Sequence, residues 1–489
     1  MLAFLRLSPR EYIHATTPMT YHDRAQQALA ILRDLRRSVS PNSPRTTAKP
    51  RPPRPTAWLD GLRGIAAFAV FVMHNEDVGH QVADYVILEN PWGLSGQHHL
   101  VTFPIVRTLF SGGHTAVFTF FIISGFVLSY KPLQLVHAQD LGLLVKSTGS
   151  GLFRRWGRLF LPLYVSTFCW MSSWYMFGFD SGRGDPKRLP SWTEELGRWW
   201  DNHSSGNYVG YNVHLWTIPE EFWGSVFTYC TILATSRFTH EARLVTETAI
   251  CAYRLYLSKR DALFIVGILF CDVFLLAEAG KLPNILKRLA PRYNALWYIP
   301  FLLGLYIAPF GHGFAGDIRE FSGYPGWSIL SFLTPPHTDF KFFLRFWAST
   351  MIVVSIPHLD VCKRILEGRL AQYLGRISYG LYLIHGPILW SVGVRLYAAC
   401  GLDNRYPDLK AWDNLVKIPE GGPLGLEPRF LVPWTFVLVL VLGLSELFTR
   451  CVDEPIVKLM QWCFSSCQRL DSDDRKDRQS TLPLLEMRH

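Results

Sequence analysis

Long apolar stretches constrain this chain more than any other feature. A helix that crosses a bilayer needs about 20 predominantly apolar residues, and nine stretches reach or approach that length. Charged residues make up only 18% of the 489 residues, whereas soluble globular domains carry roughly 25%. The sequence therefore predicts an all-α fold, a polytopic membrane helix bundle. The nine stretches lie near residues 62–80, 114–130, 159–179, 215–235, 262–280, 295–310, 341–357, 377–399 and 430–450.

The distribution of basic residues favours a tenth crossing. Loops on the cytosolic side of a membrane are enriched in Lys and Arg, and nine crossings would place two basic clusters on the opposite side. A weaker helix near 243–258 returns both clusters to the cytosol, which predicts about ten transmembrane helices with both termini cytosolic. The sequon Asn202-His203-Ser204 then falls in the non-cytosolic loop 180–214. The two clusters are Lys281/Lys287/Arg288/Arg292 and Lys363/Arg364/Arg369/Arg376.

Three regions follow from this pattern. Residues 1–57 form a basic cytosolic extension and linker with a charge of about +7, which matches the positive-inside pattern. Residues 58–460 form the transmembrane domain, and 461–489 form a polar cytosolic tail. We expect a multi-pass protein of the endoplasmic reticulum or plasma membrane. Because much of the net charge of +10 lies in the extension, nucleic acid is not an expected partner.

The nine cysteines contain no C-x-x-C pair, and most fall in apolar stretches. Buried small hydrophobic residues show that pattern. The sequence therefore predicts neither a disulfide framework nor a metal site.

The first apolar helix carries the strongest candidate residues, Asp60, Arg63 and His74. Ionisable residues in membrane helices are costly and are often functional. Arg63 and His74 are eleven residues apart, which places them on nearly the same helix face, about 16 Å apart along the axis. Histidine suits proton transfer near neutral pH. A hydrogen-bonded residue at a helix end remains an equally good interpretation of His74.

A second basic set is Arg154, Arg155 and Arg158, before the third apolar stretch. Arg155 and Arg158 share a helix face, and guanidinium groups suit phosphate contacts. Arginines at a cytosolic helix end are also expected for topology alone, and both interpretations stay open.

Three other segments carry polar residues within or beside apolar sequence. Glu220 and Glu221 begin the apolar stretch at 215–235, where capping is the simpler interpretation. His385 lies within another stretch and is more typical of a packing residue than of a catalyst. Ser124 belongs to a segment of small residues that allow close helix approach, and we assign it no chemistry.

Six segments in order resemble the acyltransferase-3 family of integral membrane acyltransferases. Together they span about residues 58–460, and the fourth of them, WTIPEEF, resembles fungal members more than bacterial ones. The segments are LDGLRG with His74 following, FFIISGFVLSY, Arg155-x-x-Arg158 before L-x-P-x-Y, WTIPEEF, LGRISYGLYLIHGP and VDEP.

The resemblance implies about ten membrane helices and transfer of an acyl group from an acyl donor, usually acyl-CoA, to a hydroxyl-bearing acceptor. It makes His74, Arg63 and Glu221 the catalytic candidates. Glu221 is favoured over Glu220 because the family's motif, aligned with the WTIPEEF segment, places its glutamate at Glu221. Arg155, Arg158 and Asp60 are the candidates for substrate binding.

In the mechanism we expect, His74 deprotonates the hydroxyl and Arg63 holds the donor or offsets oxyanion charge, while Glu221 orients His74 or a helix. Acyl-CoA is a co-substrate and no bound cofactor is expected. The acceptor is a small molecule, such as a sugar, a lipid or a secondary metabolite. A transporter of an acylated or hydrophobic metabolite, with His and Arg as a proton relay, is the alternative.

Overall fold

A computed structural model describes residues 55–80, 98–178, 180–181, 187–289, 291, 293–309, 327–402 and 407–480. The basic extension predicted for 1–57 lies almost wholly outside these residues, as do the last residues of the tail. A compact unit ends at Ile456, and the residues from Val457 onward belong to a second unit.

The described residues form helices and contain no strand. Short 3₁₀ turns connect several of the helices, and π-helical turns at Leu389–Gly393 and Thr449–Asp453 join consecutive ones. The α-helices are α1 (Ala57–Gly79), α2 (Arg107–Ser111), α3 (Gly113–His137), α4 (Leu141–Phe177), α5 (Trp192–Ser204), α6 (Thr217–Thr235), α7 (His240–Tyr256), α8 (Asp261–Glu278), α9 (Asn284–Leu289), α10 (Tyr298–Ile307), α11 (Trp327–Leu333), α12 (Phe340–Ser355), α13 (Asp360–Leu366), α14 (Arg369–Ile388), α15 (Val394–Ala399), α16 (Pro428–Phe448) and α17 (Glu454–Ser480).

Each of the ten stretches predicted to cross the membrane overlaps one of these helices. Among the described residues, five helical segments are long and apolar enough to cross a membrane. The all-α prediction is therefore confirmed for the described residues, whereas the number of ten crossings stays a prediction. The five segments are Ala57–Gly79, Gly113–His137, Phe340–His358, Arg369–Ala399 and Pro428–Cys467.

Helix α1 packs closely against α14, and glycines make this approach possible. A Cβ atom on Gly64 would lie 2.3 Å from the backbone nitrogen of Gly375, and one on Gly375 would lie 2.2 Å from the carbonyl oxygen of Asp60. Such distances exclude any larger residue without movement of the backbone. The contact brings the candidate residues of α1 against α14.

Helix α4 begins earlier than the apolar stretch at 159–179 indicated. The Asp140 side chain caps its N-terminus by accepting a hydrogen bond from the Leu143 backbone N–H, as N-cap residues do. Arg155 and Arg158 therefore lie inside a long helix and not at a helix end. This placement corrects the expectation that the arginines lie at a cytosolic helix end.

A buried histidine ties the end of α1 to the start of α16. His80 lies 2.7 Å from Glu76 through Nδ1 and 3.2 Å from Glu427 through Nε2. Burial alone would lower the pKa of His80, but hydrogen bonds and charge from the two carboxylates outweigh it and raise the pKa to about 9. The pairing joins segments that are far apart in the sequence.

Candidate active site

The Arg63 side chain anchors α1 to α14. Its Nε donates a hydrogen bond to Ser378 Oγ at 3.0 Å, and an NH2 group donates to the carbonyl oxygen of Gly375 at 2.6 Å. Asp60, one turn earlier on α1, forms an ion pair with Arg63 at 3.4 Å. Asp60 thus balances the charge of Arg63.

Arg155 and Glu221 form the centre of a polar network between α4, α6 and α3. An NH2 group of Arg155 lies 2.6 Å from Glu221 Oε2, and the Arg155 and Glu221 side chains are only 13% and 15% exposed. Ser124 Oγ accepts a hydrogen bond from Arg155 and donates one to Glu221 Oε2. Ser225 Oγ accepts from Arg155 Nε and donates to the backbone carbonyl of Glu221. The Glu221 carboxylate is therefore held by Arg155 and Ser124. Of the two roles expected for Glu221, orienting His74 or orienting a helix, these contacts between helices match the second, while His74 is paired with Asp77.

The two adjacent glutamates differ sharply in environment. Glu220 pairs with Arg260 at 2.8 Å on an exposed surface, while Glu221 faces the buried network. The structure thus gives the two glutamates different environments, and the catalytic role of Glu221 stays a prediction. Ser124, to which the sequence analysis assigned no chemistry, belongs to the same network.

Arg158 lies one turn beyond Arg155 and within electrostatic range of Arg63, Arg155 and Asp453. No hydrogen bond or ion pair joins Arg158 to a residue in the described part of the chain. Asp453, from the VDEP segment, is buried, and its Oδ1 has no hydrogen-bond partner among the described residues. Arg158 is therefore a partly buried cation whose donors are available to an anionic ligand.

Three histidines from different elements meet near the other end of α1. The ring centroids of His74 and His214 are 3.9 Å apart, those of His74 and His385 are 5.4 Å apart, and those of His214 and His385 are 4.8 Å apart. His214 lies in the 3₁₀ turn before α6 and stacks on Trp390. We call His74, His214 and His385 the histidine cluster.

Hydrogen bonds at Nδ1 orient two members of the histidine cluster. His74 Nδ1 lies 3.3 Å from the Asp77 carboxylate, and His385 Nδ1 lies 2.9 Å from the carbonyl oxygen of Leu381. Because a carbonyl oxygen only accepts, His385 carries its proton on Nδ1 and a lone pair on Nε2. His385 is 1% exposed, and its Nε2 has no hydrogen-bond partner among the described residues.

The arrangement of His74 and Asp77 suits general base catalysis. A carboxylate that accepts the Nδ1 proton leaves the lone pair of the imidazole on Nε2, where it can accept a proton from a substrate. The His74 side chain is 18% exposed, so that a small molecule can approach the ring.

Sequence reasoning missed His214 and Asp77, and it treated His385 as isolated. Both missed residues had a local signal, because His214 lies two residues before Trp216 of the WTIPEEF segment and Asp77 lies one helical turn after His74. The proximity of His385 to His74 depends on the contact of α1 with α14 and had no sequence signal. The ligand nitrogens of the histidine cluster lie within 4.8 Å of one another and could hold a metal ion, a site that the sequence did not predict.

The two groups of polar residues occupy different levels of α1. Arg63 and His74 are separated by about 16 Å along the helix axis, so that the two side chains cannot contact each other or the same small group of a ligand. A ligand that contacts both groups must be long, with an anionic part near the arginines and a reactive part near the histidines.

Comparison with known proteins identifies the family. The family model described as an acyltransferase domain matches residues 56–448, which is most of the chain and contains the arginines, Glu221 and the histidine cluster. The chain belongs to the acyltransferase-3 family. It is therefore an acyltransferase that transfers groups other than aminoacyl groups, and its apolar helices and family indicate a membrane protein.

Three fungal proteins resemble the chain over most of its length. The O-acetyltransferase PaAT-1 of Phomopsis amygdali is 29% identical, over 93% of this chain and 92% of its own. An acyltransferase of a Phoma species is 24% identical over 86% and 98% of the two chains. An acyltransferase of Cochliobolus lunatus is 23% identical over 84% and 96%. No solved structure matches the chain.

Proposed function

We propose that this acyltransferase moves an acyl group from acyl-CoA to a hydroxyl of a small-molecule acceptor. The observation that carries the proposal is the pairing of His74 Nδ1 with Asp77, which leaves Nε2 as the proton acceptor. One relative is named an O-acetyltransferase, which supports oxygen as the atom acylated. A sugar, a lipid or a secondary metabolite could supply the hydroxyl.

The reaction is a direct transfer. His74 Nε2 takes the proton of the acceptor hydroxyl as its oxygen attacks the thioester carbonyl carbon. A new C–O bond forms, the C–S bond breaks, and the CoA sulfur leaves as a thiolate that receives the proton from His74. The products are an ester and free CoA, with no bound cofactor required.

The arginines bind the donor. Arg158 offers its guanidinium to the CoA phosphates, with Arg63 beside it, and planar guanidinium groups form strong contacts with phosphate oxygens. Since Arg63 is about 16 Å from His74 along the helix, it positions the donor and does not stabilise the oxyanion. Glu221 positions Arg155, and Asp60 positions Arg63.

Replacement of His74 tests the proposal. We expect His74→Ala to lower turnover by about 10²–10⁴-fold, the usual contribution of a positioned general base. Acyl transfer from acyl-CoA is measured with detergent-solubilised protein, because transfer needs no sealed compartment whereas transport does. His337→Ala is the matched control, since His337 is exposed and lies outside the cluster. Near-normal turnover of correctly folded His74→Ala protein contradicts the assignment.

A further inference from the structure

The histidine cluster has features that proton transfer by His74 does not need. Its three members come from α1, from the turn before α6 and from α14, and the ligand nitrogens all lie within 4.8 Å of one another. A single general base requires one imidazole and one orienting group. Two additional imidazoles beside it point to a second use of the cluster.

The hydrogen bonds of two imidazoles match those of metal ligands. Histidines that bind a metal almost always donate their other ring N–H to a carboxylate or a backbone carbonyl. His74 has the Asp77 carboxylate at Nδ1, and His385 has the Leu381 carbonyl there. Both arrangements leave Nε2 as the nitrogen whose lone pair can bind a metal ion.

His385 supplies an independent observation. Its Nε2 lone pair is buried and has no hydrogen-bond partner among the described residues. A buried acceptor without a partner destabilises the fold, because it has lost its hydrogen bonds to water and gained none in the protein. A cation shared with the neighbouring imidazoles removes that destabilisation.

We infer that His74, His214 and His385 form a binding site for Zn²⁺ that inhibits acyl transfer. Imidazole suits zinc, and three histidines with an open fourth position are a known zinc arrangement. Zn–N bonds of about 2.0–2.1 Å in a tetrahedral site place ligand nitrogens about 3.4 Å apart, so that the cluster must contract slightly. His74, at 18% exposure, is the least buried of the three and is the ring best able to move.

Zinc inhibits acyl transfer because it binds the same nitrogen, His74 Nε2, that accepts the proton in the proposed reaction. A lone pair of His74 Nε2 that is bound to zinc cannot accept a proton from the acceptor hydroxyl. This part of the inference rests on the proposed function, in which His74 is the general base, whereas zinc binding itself does not.

Zinc binding is measured on the full-length solubilised protein after treatment with a chelator. We expect one Zn²⁺ per chain and a rise in the thermal unfolding midpoint, because a ligand of the native state stabilises it. His385→Gln and His214→Gln should each weaken binding, while His337→Gln should not. Asp77→Asn should weaken it by about 10–100-fold, the usual effect of losing the partner of a ligating histidine. Unchanged affinity in folded His385→Gln and His214→Gln proteins places the zinc elsewhere and overturns the inference.

A second measurement separates this inference from the proposed function. We expect zinc to inhibit acyl transfer at the concentrations at which it binds, and a chelator to restore transfer. If the cluster binds zinc and transfer is unaffected, His74 is not the base: the binding site stands and inhibition is overturned. If His74→Ala abolishes transfer but the cluster binds no zinc, the proposed function stands and the metal site is wrong.

Discussion

Arg155 and Arg158 lie one turn apart on α4, but their side chains are held differently. Arg155 is paired with Glu221 and with two serines, whereas Arg158 has no hydrogen bond or ion pair within the described ranges. An arginine that already holds a protein carboxylate has fewer donors for a ligand. We therefore expect the two residues to contribute separately, Arg155 to stability and Arg158 to binding of the proposed donor.

Replacing each arginine by Gln should separate these contributions. Arg158→Gln should raise the apparent KM for acyl-CoA about tenfold or more, because hydrogen bonds to charged groups contribute about 1.5–3 kcal/mol, with little change in thermal stability. Arg155→Gln leaves the Glu221 carboxylate without its charge partner and should cost about 3–5 kcal/mol of stability. Steady-state kinetics and thermal unfolding of the solubilised proteins measure the two effects.

Arg158→Lys and the double variant Arg155→Gln with Glu221→Gln serve as controls. Lys should restore only part of the donor affinity because it lacks the planar fork, and the double variant should recover stability. An unchanged KM for acyl-CoA in folded Arg158→Gln protein would show that Arg158 contributes only to the orientation of the helix in the membrane and not to donor binding.

Residue chemistry was predictable from the sequence where it depends on one helix. The spacing of Arg63 and His74 along α1 needed only the helical repeat. The choice of Glu221 over Glu220 needed the resemblance to the family, and the catalytic role of Glu221 stays a prediction. The partner of Glu221 was not predictable, because Ser124, Arg155 and Glu221 come from three helices whose packing the apolar pattern does not specify. His214 lies close to the WTIPEEF segment in the sequence, but its contact with His74 was not predictable, because only the fold brings the two rings together.

At the scale of elements, the contact of α1 with α14 positions Arg63 at one end of α1 and the histidine cluster at the other. It holds Arg63 on Ser378 and the carbonyl of Gly375 and brings His385 to His74. Because Gly64 and Gly375 meet backbone to backbone, side chains cannot relax to accept a larger residue there.

Gly64→Ala should therefore damage the fold and the activity together. Overpacking usually costs about 1–3 kcal/mol, and we expect about 3 kcal/mol here because the nearest atom belongs to the backbone. Gly149→Ala is the matched control: Gly149 also lies within a helix, but a Cβ there has nothing within 4 Å. The control should gain about 0.5–1 kcal/mol from the better helix propensity of Ala. Equal thermal stability of the two variants would show that the contact of α1 with α14 tolerates a methyl group.

Helix positions followed from the sequence because apolar length and helix length are related directly. Helix α4 was the exception, since its first turns are polar and capped by Asp140 and carry no long apolar stretch. Short helices such as α9 and α13 were not predicted, because tertiary packing and not periodicity stabilises helices of that length.

At the scale of the whole molecule, the number of crossings decides which face of the membrane each site approaches. Ten crossings place both termini in the cytosol, with the N-terminal end of α1 and the arginines toward the donor. The C-terminal end of α1, with the histidine cluster, then lies toward the loop 180–214 and the opposite face. In that arrangement, donor and acceptor approach the protein from different sides of the membrane.

Reporters at each terminus should accordingly both lie in the cytosol, and Asn202 should carry a glycan on the other face. Asn202→Gln should remove the mobility shift that an endoglycosidase produces, while Asn284→Gln, outside any sequon, should leave it. An odd number of crossings would separate the termini, because each helix that is added or lost moves the rest of the chain to the other face. Termini on opposite faces would therefore contradict the ten-helix arrangement, even with Asn202 glycosylated. If the helix near 243–258 is the one that does not cross, both basic clusters return to the non-cytosolic side against the charge bias.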